Sequence, residues 1–211
     1  MAAAHGIELH ELQRIPVKGR MKGKVETVYG RCMANNRSIA IPARMSNGAP
    51  GNRQCTVDFK IRVIERWQRQ HGATKNNRAV IGLGISMDEI QRMRNDSRIP
   101  TQTLEYPLID LRLTRNDCRN IIADAGLPIP PKSACWFCPF QKHSEWQDMR
   151  RDKPEMFQRA IELEEHINDK RNALGRDRVY LHPSLVPLDQ AVGIQYTLFE
   201  DEPCDSGYCF T

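Results

Sequence analysis

The sequence predicts an α/β fold in which a partly parallel sheet is flanked by helices and followed by a helical C-terminal segment. The apolar run at 79–85 ends at a helix-capping signature, a pattern typical of a strand, turn and helix unit. From Pro154 to Ile167, apolar residues recur at helical spacing. A third observation, the Cys135-x-x-Cys138 pair on a proline-rich loop, predicts a cysteine-bound metal site within this fold.

The first third of the chain contains one clear helical pattern. Residues 7–12 alternate apolar and polar side chains like a strand, and 16–52 is rich in Gly, Lys, Arg, Asn and Ser, which predicts a long loop or lid. Apolar residues then recur at helical spacing over 54–70, and Gly72 ends that segment. Cys55 therefore stands at a predicted helix start.

The middle of the chain predicts two strands, each followed by a helix. The run at 79–85 is interpreted as a buried strand, and 106–111 as a second short strand. A capping pattern then begins a helix over 114–126, with Cys118 in its first turns. Two strands that alternate with helices favour parallel pairing.

The composition predicts one domain without membrane-spanning segments. Of the 211 residues, 40% are hydrophobic and the mean hydropathy is −0.59, and no window approaches the roughly 18 apolar residues of a membrane span. We expect a single domain over 1–199, truncated at its N-terminus, and a mobile acidic tail with cysteines over 200–211. No secretory signal is recognisable, so the expected location is the cytoplasm. The sequence does not predict an oligomeric state.

The cysteines are the main candidates for chemistry. Seven cysteines are an odd number for a disulfide framework, so reduced thiols or metal ligands are expected. For Cys135 and Cys138, three interpretations remain open: metal ligands, a redox dithiol or two buried small side chains. Metal sites usually need four ligands. Cys55 and Cys118, both at predicted helix starts, complete the proposed set of Cys55, Cys118, Cys135 and Cys138.

The charge distribution is compatible with an anionic partner. The net charge is +5, which suits a nucleotide, a sulfate or a nucleic acid. Arg53, Lys60 and Arg62 flank Cys55 and are candidates for binding a phosphate or sulfate at the helix start. The alternative is a solvated basic turn.

The segment around Cys55 resembles a known family. Residues 54–63, Gln-Cys-Thr-Val-Asp-Phe-Lys-Ile-Arg-Val, are similar to the Cys-Cys-x-x-x-Lys-x-x-Pro motif of phosphoadenosine phosphosulfate (PAPS) and adenosine phosphosulfate reductases. These enzymes belong to the adenine nucleotide alpha-hydrolase (PP-loop) superfamily. Cys55 and Lys60 match the motif, whereas Thr56 and Val63 replace its second cysteine and its proline. The resemblance is strongest to a phage and bacterial subgroup over 53–142, with a weaker match over 180–188.

The resemblance implies a cofactor and a reaction class. It implies a [4Fe-4S] cluster, with Zn²⁺ as the alternative, and Cys118 is our proposed substitute for the ligand that Thr56 replaces. It also implies an oxidoreductase or sulfurtransferase acting on an adenine nucleotide, such as ATP, or on a sulfonucleotide. Residues 82–89 resemble the strand and turn near the nucleotide in that superfamily, and a plain strand before a capped helix is the alternative.

The chain also departs from this family. The Ser-Gly-Gly-x-x-Ser phosphate loop does not occur in the sequence, which is why a truncated N-terminus is expected. Cys204 and Cys209 loosely resemble the mobile Glu-Cys-Gly segment of the reductases and are the candidate nucleophiles, with a floppy tail as the alternative. The rival function is a non-catalytic metal-stabilised module that binds nucleic acid or assists DNA modification.

Overall fold

The computed structural model describes residues 6–34, 39–130 and 133–193. Most of this part of the chain is helix and connecting segments, with a small sheet of two strands. In chain order the elements are α1 (Val28–Met33), α2 (Gln54–Thr56), a π-helical segment (Val57–Ile61), α3 (Arg62–Gln70), β1 (Ala79–Gly82), a 3₁₀ helix (Met87–Arg92), β2 (Gln102–Glu105), α4 (Pro107–Asp110), α5 (Arg115–Asp124), α6 (His143–Asp152), α7 (Pro154–Asn172) and α8 (Leu188–Ala191).

The sheet is parallel, as predicted. Strands β1 and β2 pair in a register that runs from Ala79 opposite Gln102 to Gly82 opposite Glu105. Parallel strands need a crossover connection, and here the 3₁₀ helix lies within it. The predicted α/β fold is therefore confirmed only in its coarse form, as a mainly helical structure with two parallel strands among the described residues.

Three predicted elements are wrong in detail. Residues 106–111 were expected to form a strand, but the strand lies just before them and Pro107 begins helix α4. Proline is favoured at a first helical position because the missing N–H would have no helical partner there. Residues 7–12 form no strand, and the segment after Ser86 is a 3₁₀ helix rather than an α-helix.

The predicted loop over 16–52 contains a helix that the sequence did not reveal. Helix α1 begins after Thr27, whose side-chain oxygen accepts a hydrogen bond from the Gly30 N–H at 3.0 Å. Further on, Arg44 and Tyr180 exchange two backbone hydrogen bonds of 2.8 and 2.9 Å. These bonds fix the early segment against the C-terminal part of the chain.

The predicted helix over 54–70 is confirmed as one continuous run, hereafter the long helix, composed of α2, the π-helical segment and α3. Arg53 occupies the position before its start without a side-chain capping bond, and His71 follows its end. A π-helical turn inserts an extra residue into the helical ladder and often occurs at functional sites. Here it lies between Cys55 and Arg62.

The hydrophobic core is built from α1, the segment after it, the loop before α6, and helices α6 to α8. In the described residues, every buried member of the core cluster lies before Arg44 or after Trp136. Trp146 and Leu163 are completely buried within it. In the part of the chain that the structure describes, no helix has both the length and the apolar character needed to cross a membrane.

Candidate thiol site

Cys135 and Cys138 lie at the two ends of a tight turn. The Cys138 N–H donates to the Cys135 carbonyl at 3.0 Å, and the Gln141 N–H donates to the Cys138 carbonyl at 3.1 Å. Two consecutive turns of this kind keep the backbones of both cysteines close together. The predicted loop position of the pair is therefore confirmed.

Aromatic side chains fix this loop to the core. Phe137 is buried, and the half-buried Trp136 contacts it edge to face with ring centroids 4.8 Å apart. Tyr29 of α1 lies against both rings, at 5.4 Å from Trp136 and 5.8 Å from Phe137. The Arg159 guanidinium of α7 lies over Tyr29 and Trp136 at 5.1 and 5.2 Å. The cysteine turn is thus anchored by two helices.

Cys55 at the start of the long helix is an electrostatic neighbour of Cys135. Burial raises the pKa of the Cys135 thiol, the Cys55 thiol raises it further, and the Lys60 ammonium lowers it. Cys135 is an exposed residue, so its thiol remains accessible to a ligand. The structure therefore brings together two of the four predicted metal ligands and one predicted anion-binding lysine.

Cys32 is a further thiol at this site, and no role was predicted for it. It lies on α1, is completely buried, and burial raises the pKa of its thiol. The backbone of Ala40 hydrogen-bonds its sulfur, and the Ala40 carbonyl accepts the Cys55 N–H at 2.6 Å. Cys32 and Cys55 therefore flank the same residue, and the Cys55 thiol also raises the pKa of Cys32.

Cys118 lies at the start of α5, as predicted, and α5 is attached to a different part of the molecule. The backbone N–H of Arg115 donates to Asp88 at 2.5 Å, and its guanidinium donates to Glu89 at 3.1 Å. These contacts attach α5 to the 3₁₀ helix after β1. The role of Cys118 as a ligand stays a prediction. The candidate nucleophiles Cys204 and Cys209 lie outside the described residues.

The thiols of the described residues supply donor atoms for a metal ion without being gathered around one position. Thiols are suitable donors for iron or zinc, and a nearby cation lowers the cost of ionising them. Within 6–34, 39–130 and 133–193, however, no group of three or more His, Cys, Asp or Glu side chains is placed to hold a metal ion. The donor chemistry fits a metal centre, but the geometry does not assemble one.

Two arginines lie near the Phe140 ring, just beyond the cysteine turn. The Arg53 guanidinium lies 4.4 Å from the centre of the Phe140 ring, and the Arg44 guanidinium lies 6.0 Å from it. Arg44 Nε is buried and has no hydrogen-bond partner among the described residues, and burial lowers the pKa of this side chain. Buried guanidinium groups usually bind an anion or acceptor. Arg44 was missed because it lies in a segment without a regular pattern.

Arg62 contributes to a different surface. It forms an ion pair with Asp58 at 2.6 Å, and Asp58 also binds Arg31 of α1 at 2.5 Å. Glu26 binds Arg31 as well, and the hydrogen bonds from Arg31 hold the pKa of Glu26 below its usual range. This network attaches α1 to the long helix. The anion-binding role predicted for Arg62 at the Cys55 site is untested, whereas Arg53 and Lys60 lie beside the cysteines.

Two histidines form a hydrogen-bonded chain at the start of α6. His143 Nδ1 lies 3.0 Å from His182 Nε2, and the Ser184 N–H donates to His182 Nδ1 at 3.1 Å. Since His182 Nδ1 accepts a hydrogen bond, a neutral His182 carries its proton on Nε2 and donates it to His143. The pair thus joins the start of α6 to the segment around residue 182.

The segment predicted to lie near a nucleotide borders a separate cleft. This cleft of about 340 Å³ lies beside the 3₁₀ helix that follows β1 and is lined by Asp88, Glu89, Arg115, Asn116 and Arg119. Ligands of parallel sheets commonly bind beyond the carboxyl ends of the strands. Nucleotide binding here stays a prediction.

Comparisons with known proteins add no further assignment. No protein-family model matches the chain, and no curated protein or solved structure matches it. The resemblance of residues 54–63 to the PAPS reductases therefore stays a prediction based on the sequence.

Proposed function

We propose that this protein is a thiol-dependent iron-sulfur protein that performs sulfur or sulfonucleotide chemistry, with Cys55, Cys135 and Cys138 as the central metal ligands. The observation that carries the proposal is the proximity of Cys55 and Cys135. These residues are far apart in the sequence, yet Cys55 lies near enough to raise the pKa of the Cys135 thiol, which the Lys60 ammonium lowers. A bound [4Fe-4S] cluster would supply an electrostatic or sulfur-carrying centre. The cluster itself and the reaction are hypotheses.

The fourth ligand has two candidates with different support. Cys118 is proposed from its position at a helix start. Cys32 is favoured by the structure because it shares Ala40 as a neighbour with Cys55. A cluster bound by Cys32 would require its buried thiol to ionise, and a bound cation would supply the compensating charge.

The arginine pair beside Phe140 supports an anionic substrate. Arg44 and Arg53 lie beside Phe140, two residues after Cys138. Guanidinium groups bind phosphate and sulfate with two parallel hydrogen bonds. We propose that Arg53 and Lys60, together with Arg44, hold the sulfate or phosphate of a sulfonucleotide next to the thiols. The adenine nucleotide is part of this proposal.

The first experiment is anaerobic purification followed by iron, zinc and sulfide analysis and a visible absorption spectrum. Iron and sulfide at about four each per chain, with broad visible absorption, support the proposal. Stoichiometric zinc without sulfide supports the rival metal-stabilised module instead. Protein that contains neither metal after anaerobic reconstitution with iron and sulfide overturns both.

Cysteine variants then identify the ligands. Cys135→Ala is expected to lose most of the metal, because three remaining thiolates bind far less tightly. Cys118→Ala and Cys32→Ala are compared directly. The variant that loses as much metal as Cys135→Ala identifies the fourth ligand, and the other serves as the matched control. Full metal content in Cys135→Ala would remove the turn from the site.

A further inference from the structure

A strongly basic groove lies along the long helix, on the surface that carries Arg62. It has a volume of about 270 Å³, and four of its lining side chains are cationic: Arg14, Lys18, Arg62 and Arg66. One wall is the chain before α1 and the other is helix α3. In an α-helix, residues four positions apart lie on one face with Cβ atoms about 5–6 Å apart. Arg62 and Arg66 therefore form a row along the groove.

The loop next to the groove extends this positive charge. Residues 16–24, Pro-Val-Lys-Gly-Arg-Met-Lys-Gly-Lys, contain four cations and no acidic residue, and all four are exposed. The loop has a defined shape because the Gly23 N–H donates to the Pro16 carbonyl at 2.9 Å and the Lys22 N–H donates to the Gly19 carbonyl at 3.0 Å. A closed turn with this composition presents its charges outward.

The acidic residues nearby pair with two of the groove arginines and with arginines outside it, and the remaining groove cations are left over. Glu26 binds Arg14 and Arg31, and Asp58 binds Arg31 and Arg62. Glu65 binds Arg69, at the far end of the helix. Among the described residues, no ion pair involves Arg66 or any of the four loop cations. The loop cations are Lys18, Arg20, Lys22 and Lys24. The groove region therefore has a net positive charge.

The two elements that form the groove, the chain before α1 and helix α3, also carry a stack of aromatic side chains. Trp67 stacks on His71 with ring centroids 4.1 Å apart, and His10 lies 4.7 Å from Trp67. The chain after His10 runs back along the helix, because Arg66 donates to the Ile15 carbonyl at 2.6 Å. Nucleic-acid sites combine a basic channel with flat aromatic side chains on which bases stack.

We propose that this groove binds the phosphate backbone of a nucleic acid. Its arginines and lysines line a concave surface, which suits a narrow polyanionic chain better than a flat lipid surface. Successive phosphates of one strand can contact Arg66 and the loop at 16–24, and an unstacked base can extend the stack of His10, Trp67 and His71. This binding requires no metal, so it goes beyond the proposed function of the thiol site and can fail independently of it.

Fluorescence anisotropy with a short labelled oligonucleotide, single-stranded or duplex, tests the proposal. Affinity is expected to fall linearly with salt on a logarithmic scale, because bound phosphates release counterions. The triple variant Lys18→Gln, Lys22→Gln and Lys24→Gln should bind roughly tenfold more weakly or worse, and its salt slope should decrease by about two to three units.

The matched control removes the same charge from another surface. Arg78→Gln, Arg98→Gln and Arg112→Gln together change three exposed cations outside the groove and should leave the affinity within about twofold. Equal losses in both triple variants would indicate a general charge effect and overturn the proposal. Anionic phospholipid vesicles are the second probe. Binding to vesicles without binding to oligonucleotides would assign the surface to membranes, and binding to neither would also overturn the proposal.

Discussion

Two regions of this molecule are stabilised in different ways. The core region, formed by α1, α6, α7 and α8, packs its apolar side chains into one buried cluster that includes Leu163. The sheet region, residues 79–126, contributes no buried member to that cluster. Instead it leaves large apolar side chains exposed, such as Val80 at 60% and Leu111 at 67%. Parallel sheets are normally covered on both faces, so this two-stranded sheet is unusually open.

The difference shows where a precise site can be built. The cysteine turn is attached to the core region through Phe137 and Tyr29. The sheet region is held largely by polar contacts, including a buried hydrogen bond of 2.6 Å from Gln102 to Gln68. Sites need a rigid support, and local opening is easiest where few apolar contacts are buried. We therefore regard the core region as the support of the thiol site.

Truncating one aliphatic side chain in each region is the strongest test of this comparison. Leu163 of α7 is 0% exposed, and Ile121 of α5 is 52% exposed. Leu163→Ala should lower the free energy of unfolding by about 2–5 kcal/mol because it leaves a cavity. Ile121→Ala should change it by less than about 1 kcal/mol. Urea unfolding of both variants measures the difference.

Similar losses in the two variants would contradict the comparison. They would mean that Ile121 is covered in solution, for example by a second copy of the chain. Sedimentation of the wild-type protein at several concentrations separates this case from a monomer in which the core region is less well packed than the structure indicates.

Removing one hydroxyl group from the sheet region should have an intermediate effect. The Tyr106 hydroxyl donates to the Arg94 carbonyl at 3.0 Å and accepts from the Arg94 N–H at 2.9 Å. Tyr106→Phe leaves both backbone groups without this partner, and we expect a loss of about 1–2 kcal/mol by thermal or urea unfolding. Tyr180→Phe is the matched control in the core region, and an equal loss there would show that the effect is not specific to the Arg94 contact.

Local sequence patterns predicted the elements that are stabilised by interactions between residues close in the sequence. The helix at α5 was expected from Thr114 and Asp117, and their side chains form the capping box. Strand β2 was missed because its residues, Gln-Thr-Leu-Glu, have no apolar run. Its strand conformation depends on pairing with β1, which lies more than twenty residues earlier. Such nonlocal pairing leaves little signal in a single segment.

The same distinction applies to the candidate site. The Cys135-x-x-Cys138 turn was predictable because the spacing and the prolines are local features. The approach of Cys55 to Cys135 depends on how α1 and the long helix pack, so the sequence indicated the residue types but not their arrangement. Arg44 had no local signal at all. Its position follows from backbone pairing with Tyr180, far along the chain.

The smallest predicted effect concerns the link between α1 and the long helix. Hydrogen bonds from Arg31, and also from Arg14, lower the pKa of Glu26. A carboxyl group whose pKa is lowered by folding adds stability above its unfolded pKa of about 4.3, and this stability is lost as the pH falls through the folded pKa. Relative to the wild type, Glu26→Gln should cost about 1 kcal/mol or less at neutral pH, because the amide oxygen of Gln can still accept hydrogen bonds from the arginines and only the charge is lost.

The pH dependence is what distinguishes this ion-pair effect from a packing effect. The cost of Glu26→Gln should shrink as the pH falls below about 4, because the wild-type carboxyl group is then protonated too. Urea unfolding at neutral and at acidic pH measures this cost. The control is Glu11→Gln, which replaces an exposed residue. A cost that is unchanged at acidic pH would mean that α1 is held by packing around Tyr29 and Cys32 alone. In that case packing in the core region, without the ion pairs, would hold the cysteine turn in place.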